Sequence, residues 1–146
     1  MKVAIASDHG GINIREEIKN LMDEMDIQYE DFGCECDTSV DYPDYALPVA
    51  EKVASGEFDR GILICGTGIG MSIAANKVKG IRCALVHDTF SAKATRAHND
   101  SNMLAMGERV IGPGLAREIA SIWLGTDFEG GRHETRVGKV TAYENK

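Results

Sequence analysis

The sequence has no long hydrophobic run and no excess of positive charge. No stretch approaches the roughly 20 consecutive apolar residues that a membrane-spanning helix needs, and the start of the chain has no signal-peptide pattern. We therefore expect a cytoplasmic protein. The 16 lysines and arginines are outnumbered by 23 aspartates and glutamates, which gives a formal charge of −7. This charge disfavours nucleic acid and anionic membranes as partners, so an anionic ligand would need a local basic cluster.

Cysteine is scarce, and its four positions match neither a zinc-binding spacing nor a thioredoxin-like pair. In a reducing compartment we expect Cys34, Cys36, Cys65 and Cys83 to be free thiols. Cys65 and Cys83 lie in apolar runs, where a thiol usually acts as a small buried hydrophobe. We expect neither a metal ion nor a cofactor.

The chain is long enough to fold without disulfides or a structural metal. Folding a chain of this length buries about 68–70% of the surface that the unfolded chain exposes, and 43% of the 146 residues are hydrophobic. We expect a single domain over residues 1–146. Its basic C-terminal tail begins at about residue 125, where hydrophobic periodicity is lost.

Short apolar runs alternate with longer amphipathic stretches, which predicts alternating strands and helices. The predicted strands cover residues 2–7, 27–32, 61–65, 82–86 and 102–106, and the predicted helices cover residues 11–25, 45–55, 69–78, 88–98 and 115–124. Five such units indicate a Rossmann-like α/β fold, a three-layer α/β/α sandwich around a five-stranded parallel sheet. Ligands of such sheets bind at the carboxyl ends of the strands. Chemistry is therefore expected in the segments 7–11, 65–70 and 107–109.

The segment 66–70 is a glycine loop that directly precedes a predicted helix. Gly66, Gly68 and Gly70 allow backbone N–H groups to approach a ligand, and a helix N-terminus favours an anion. The loop lacks the third glycine of a dinucleotide fingerprint and the lysine of a P-loop. A purely structural tight turn and a nucleotide site remain alternatives, but an oxyanion or sugar-phosphate cradle is favoured.

Several side chains near this edge have both a functional and a structural interpretation. Cys65 precedes the glycine loop and is either a reactive thiolate or an inert buried thiol. Asp8 and His9 follow the first strand and act either in the site or as helix caps and surface groups. His98, which ends the fourth predicted helix together with Asn99, is either functional or a helix cap.

A basic cluster stands out near the end of this acidic chain. It consists of Arg132, His133, Arg136 and Lys139. Arginines four residues apart lie on one face if the segment is helical, and arginine binds phosphate through paired hydrogen bonds. The alternative is a solvated tail.

Taken together, four motifs resemble ribose-5-phosphate isomerase type B over essentially the whole chain. They are Ser7-Asp8-His9-Gly10-Gly11, the Cys65–Gly70 loop, Ala97-His98-Asn99-Asp100, and Gly131-Arg132-His133 with Arg136. The wider family also includes allose-6-phosphate and galactose-6-phosphate isomerases. The resemblance implies an aldose-ketose isomerase that acts on ribose 5-phosphate in the pentose phosphate pathway, with a six-carbon sugar phosphate as the alternative substrate. A flavodoxin-like phosphate- or nucleotide-binding module is the non-enzymatic alternative.

The resemblance also implies a role for each matching residue. Cys65 would be the general base, Thr67 would assist proton movement between oxygens, and His98 would open the sugar ring. The groups implied to bind substrate are the backbone of Gly66, Gly68, Ile69 and Gly70, the side chains of Asp8 and Asn99 for hydroxyls, and those of His9, Arg109, Arg132 and Arg136 for phosphate. Some branches of the family have serine at the Cys65 position and a glutamate base at the Ile69 position. Isoleucine there leaves Cys65 as the candidate base.

The predicted geometry also bears on assembly. The helix over residues 88–98 begins at the carboxyl edge of the sheet and runs away from it for about 16 Å. His98 is therefore expected to lie far from Cys65 of its own chain. If both residues act on one sugar, a homodimer with sites shared between its subunits is the simplest arrangement.

Overall fold

The computed structural model describes residues 1–35 and 37–146. Its elements in chain order are β1 Lys2–Ser7, α1 Ile12–Glu24, β2 Gln28–Asp31, α2 Pro43–Ala54, β3 Arg60–Cys65, α3 Ile69–Ala75, β4 Cys83–Leu85, α4 Thr89–Asn99, β5 Met103–Gly107, α5 Pro113–Gly125 and α6 Arg132–Glu144. In the part of the chain described, no helix is both long and apolar enough to cross a membrane.

The five strands form one parallel sheet in the order β2-β1-β3-β5-β4. This confirms the predicted α/β fold with a five-stranded parallel sheet. β2 lies on one side of β1, and the later strands lie on the other side, so the winding reverses at β1 and β1, β3 and β5 lie side by side. Ser7 pairs with Ile64, and Cys65 pairs with Gly107. The loops that follow these three strands therefore start at the same edge.

Two hydrophobic layers cover the sheet, one on each face. Ile62 and Ile64 of β3 face a layer built from α1, α4 and α5, which contains the fully buried Trp123. Leu63 and Cys65 face the opposite layer, built from α2 and α3. Because side chains alternate along a strand, the continuously apolar β3 supplies both layers. The Cys65 side chain consequently points toward α3 and the glycine loop.

The C-terminal segment differs most from expectation, because the predicted aperiodic tail contains a regular helix. Within α6 only His133 is buried, and the helix packs on α4. The helical periodicity of α6 is as strong as that of α1 and α5, but its sequence is more polar than theirs, so few apolar residues mark the period and the sequence did not reveal the helix. Because this segment is helical, Arg132 and Arg136, which are four residues apart, lie on one face of α6.

The prediction of free thiols is confirmed for Cys65 and Cys83. It is wrong for Cys34, which is disulfide-bonded; Cys36 lies outside the described residues. The prediction rested on the redox state of the compartment. That argument carries no information on which thiols the fold brings within bonding distance.

Candidate active site

The loops that follow β1, β3 and β5 enclose a cavity of about 210 Å³ at the carboxyl edge of the sheet. Its lining consists of Asp8, His9, Gly10, Tyr42, Cys65, Gly66, Thr67, Gly70 and Arg109. The cavity thus brings together two of the predicted motifs and Arg109. We call it the thiol cavity.

Cys65 ends β3 and is only 5% exposed. The backbone N–H of Gly68 donates a hydrogen bond to its Sγ at 3.0 Å. A donor aimed at the sulfur stabilises negative charge on it. Burial raises the pKa of Cys83, the other free thiol among the described residues, to about 12 and keeps it neutral. Cys65 is the one of these two thiols that lies beside the glycine loop.

The glycine loop is shaped by close backbone contacts. Gly68 has φ +75°, and a Cβ there would lie 2.8 Å from the carbonyl carbon of Met106. A Cβ on Gly107 would lie 2.6 Å from the carbonyl carbon of Thr67. Both positions need glycine because another residue would push the loop away from β5. Because α3 has only seven residues, we expect the N–H groups that could bind an anion to come from the glycine loop itself.

Hydrogen bonds fix the same loop on the end of β5. The N–H of Glu108 donates to the carbonyl of Cys65 at 2.9 Å, and the N–H of Arg109 donates to that of Gly66 at 3.0 Å. The N–H of Ile69 donates to Thr67 Oγ1 at 3.3 Å, whereas the Ile69 side chain is half exposed. Within the loop, Ile69 therefore makes its hydrogen bond through the backbone, while its side chain faces away.

Asp8 and His9 line the opposite wall of the thiol cavity. Asp8 is 7% exposed and accepts a hydrogen bond from the N–H of Gly10 at 2.8 Å. His9 Nδ1 accepts from the N–H of Val40 at 3.1 Å, so the neutral ring carries its proton on Nε2. That nitrogen is then a donor suited to an anionic or hydroxylic ligand. The buried carboxylate is held by the backbone of its own turn, and the imidazole is held by the backbone of a segment 31 residues later in the chain.

Sequence reasoning missed Tyr42, which lines the thiol cavity next to α3. A Cβ on Gly70 would lie 2.7 Å from the Tyr42 ring, so this glycine makes room for the aromatic side chain. A tyrosine directly before Pro43, in a loop rich in aspartate, was the available signal. Its phenol adds one more hydroxyl to the cavity.

Two supporting residues were also missed. Glu108 accepts hydrogen bonds from the Asn13 amide at 2.7 Å and from the N–H of Ile14 at 3.0 Å, which caps α1 in place of a side chain at Gly11. His87 Nε2 accepts the N–H of Gly107 at 2.9 Å, and burial lowers the pKa of His87. Both contacts join distant segments, and neither has a local sequence motif.

The remaining predicted residues meet elsewhere, where the end of α4 contacts the start of α6. A second cavity of about 310 Å³ is lined by Arg82, His98, Asn99, His133, Arg136, Val137 and Val140. We call it the histidine cavity. The rings of His98 and His133 stack with centroids 4.3 Å apart. Arg132 begins α6, is exposed and lines neither of these two cavities.

The thiol and histidine cavities share no lining residue. Within one chain, the structure therefore keeps Cys65 and Thr67 apart from His98 and Asn99. Each cavity has part of the chemistry that the sequence predicted. The first offers a thiol, a carboxylate and a glycine loop, and the second offers imidazoles and guanidinium groups.

The fold and its edge cavity define a doubly wound α/β protein whose candidate ligand site lies where the parallel strands end. The chain belongs to the ribose/galactose isomerase family, whose model matches residues 3–140. That match covers nearly the whole structure and includes every predicted site residue.

Individual relatives agree with this assignment. A Bacillus subtilis protein provisionally named a sugar phosphate isomerase is 79% identical over 100% of this chain and 99% of its own. Ribose-5-phosphate isomerase B of Escherichia coli is 48% identical over 99% of this chain and 97% of its own. The structure of Clostridium thermocellum ribose-5-phosphate isomerase B superposes with a TM-score of 0.96 at 54% identity, covering 99% and 98% of the two chains.

One of the relatives is named for a different substrate. A D-erythrulose-4-phosphate isomerase of Pectobacterium atrosepticum is 41% identical over 100% of this chain and 97% of its own. Similarity over the full length is therefore compatible with sugar phosphates of different chain lengths.

Proposed function

We propose that this protein is an aldose-ketose isomerase that interconverts ribose 5-phosphate and ribulose 5-phosphate. The observation that carries the proposal is the Gly68 N–H aimed at the Cys65 sulfur at 3.0 Å in a polar cavity. Moving a proton between adjacent carbons needs a base and a cradle for the developing oxyanion. The family and the names of the relatives support the same reaction class.

In the proposed reaction the Cys65 thiolate removes the proton from C2 of the open-chain aldose. The electron pair left on C2 forms the C1–C2 double bond of an enediolate, and the former carbonyl oxygen takes the negative charge. The protonated thiol then returns a proton to C1, and Thr67 assists transfer between the two oxygens. The ketose forms without any net gain or loss of electrons.

The surrounding groups are assigned by their chemistry. The backbone N–H groups of Gly66, Gly68, Ile69 and Gly70 stabilise the enediolate oxygen, and those of Gly68 and Ile69 turn to it from Cys65 Sγ and Thr67 Oγ1 when substrate binds. Asp8 and Asn99 bind sugar hydroxyls, and His98 transfers the proton that opens the furanose ring. His9, Arg109, Arg132 and Arg136 bind phosphate. Four groups that can donate to phosphate offset the general negative charge of the chain.

These assignments draw on both cavities, so we further propose a homodimer with shared sites. The thiol cavity of one subunit would face the histidine cavity of its partner. Exposed apolar side chains near the two cavities support such an interface: Phe90 on α4 is 80% exposed and Ile73 on α3 is 56% exposed. A cytoplasmic location and a place in the pentose phosphate pathway belong to the same proposal.

Turnover of ribose 5-phosphate by metal-free protein tests the function directly. The expected result is ribulose 5-phosphate formation that Cys65→Ala abolishes and Cys83→Ala leaves intact. Allose 6-phosphate, galactose 6-phosphate and D-erythrulose 4-phosphate assayed in parallel rank the alternative substrates. Phosphate or nucleotide binding without turnover of any of these sugars would instead favour a binding module.

A further inference from the structure

A cluster of potential metal ligands lies beside the histidine cavity. His98 is in the last turn of α4, His133 is in the first turn of α6, and Glu129 lies in the connection that leads into α6. One ligand atom from each residue lies within 4.8 Å of the other two. The N–H of Glu129 donates to the carbonyl of Ala97 at 3.0 Å, which holds the connection against the end of α4.

His133 is the member of this cluster with an unexplained buried atom. Its side chain is 8% exposed, and its Nε2 has no hydrogen-bond partner among the described residues. The nearest acceptor is Glu129 Oε2 at 3.4 Å. A buried ring nitrogen without a partner costs free energy, and a bound metal ion would satisfy it.

The donor set matches a specific class of ion. Two imidazoles and one carboxylate are the protein ligands of open zinc sites, in which water takes the fourth position. Histidine binds metal ions through its neutral imidazole. Imidazole ligands favour zinc and its neighbours over Mg²⁺ and Ca²⁺, which prefer oxygen.

Binding requires a small rearrangement of the three side chains. Tetrahedral geometry with bonds of about 2.1 Å separates neighbouring donor atoms by about 3.4 Å, which is less than the present spread. The two imidazole planes are nearly parallel, at 10°, so one ring must tilt for both nitrogens to aim at a single ion. The Glu129 side chain is 58% exposed, so it has room to change rotamer.

We propose that His98, Glu129 and His133 form a binding site for Zn²⁺ and that occupancy inhibits the isomerase. The inhibition rests on the proposed function, because the ion would take up the imidazole of His98 that opens the sugar ring. The binding itself does not depend on any activity. A bound divalent transition metal would therefore be an inhibitor that blocks His98, and it would take no part in the isomerisation.

The test measures binding and activity separately on the full-length chain after removal of metals. Titration with Co²⁺, followed by its visible absorption, and with Zn²⁺ by calorimetry should give one saturable site in the wild type. Glu129→Gln should weaken binding at least about tenfold while leaving metal-free turnover unchanged, because Glu129 has no role in the reaction. His133→Gln should weaken binding similarly, and Mg²⁺ should not bind.

Cys65→Ala is the matched control, since a free thiol is the competing zinc ligand. Zn²⁺ binding that survives Cys65→Ala and falls in Glu129→Gln supports the site. Equal affinity in wild type and Glu129→Gln, or loss of binding in Cys65→Ala, overturns it. Saturable binding at this site by a protein that turns over no sugar phosphate would support the metal site and refute the proposed function.

Discussion

The thiol cavity and the histidine cavity are built in opposite ways. The thiol cavity is made from the ends of central strands, and its Cys65 and Asp8 are almost fully buried. The histidine cavity is made where two helices meet, and its Asn99 and Arg136 are exposed. A cavity built on strand ends is complete within one chain. One built from exposed helix residues is open to a partner, which is why we assign the two to opposite subunits of one site.

The largest effect is expected from the thiol cavity. Cys65→Ala should lower kcat about 10²–10⁴-fold, the usual cost of removing a general base. Steady-state assays with ribose 5-phosphate measure it, and Cys83→Ala, which removes the other free thiol, is the control. Activity of Cys65→Ala within a few-fold of wild type would refute the assignment of the base.

Subunit mixing tests whether the two cavities work together. Cys65→Ala and His98→Ala should each be inactive alone. After exchange at equal amounts, half of the dimers carry one intact site, so activity should return to about one quarter of wild type. Verified heterodimers that remain inactive, or a fully active monomer, would show that the cavities do not form one shared site.

The two arginines at the start of α6 should matter mainly for binding phosphate. Arg136→Ala should raise the KM for ribose 5-phosphate about 10–100-fold, the range expected for loss of a charge-assisted hydrogen bond. Arg132→Ala should do the same, and Arg136→Lys should rescue only in part because lysine lacks the planar fork. Lys139→Ala removes one charge from the same helix and should change little. An equal loss with unphosphorylated ribose would assign these arginines a structural role instead.

Two glycine substitutions contrast the packing of the two regions. Gly107→Ala places a Cβ 2.6 Å from Thr67 backbone and should destabilise the fold by about 1–3 kcal/mol. Gly138→Ala, in α6, meets nothing within 4 Å and should stabilise by about 0.5–1 kcal/mol. Denaturant unfolding measures both. Equal effects would mean that the sheet edge is no more tightly packed than α6.

The smallest effect concerns pH. Burial lowers the pKa of His87 from 6.5, so the unfolded chain takes up this proton at a higher pH than the folded one. Its contribution to stability is therefore complete above about pH 6.5 and is lost as the pH falls below that value. His87→Gln should reduce the drop in unfolding midpoint between pH 7.5 and 5.5. An unchanged drop would show that His87 contributes nothing to it.

The contrast between the thiol cavity and the histidine cavity also explains which features could be predicted from the sequence. The apolar run of β3 and the glycines after it are local signals, so the sheet and the thiol cavity were predictable. Tyr42 has only a weak local signal and His87 has none, because their positions depend on contacts with residues distant in sequence. The helical character of α6 was hidden for a different reason. Its sequence is more polar than those of α1, α2, α4 and α5, so few apolar residues mark its helical period.

The hydrogen bonds of Glu108 have a consequence for the motion of the thiol cavity. Its N–H holds the carbonyl of Cys65, while its carboxylate holds the start of α1 next to the loop that carries Asp8. These hydrogen bonds join three segments that are far apart in sequence, so we expect the segments to open together. We expect the amide hydrogens of Glu108 and Ile14 to exchange with solvent as slowly as those of β3. The amides of α6 should exchange far sooner.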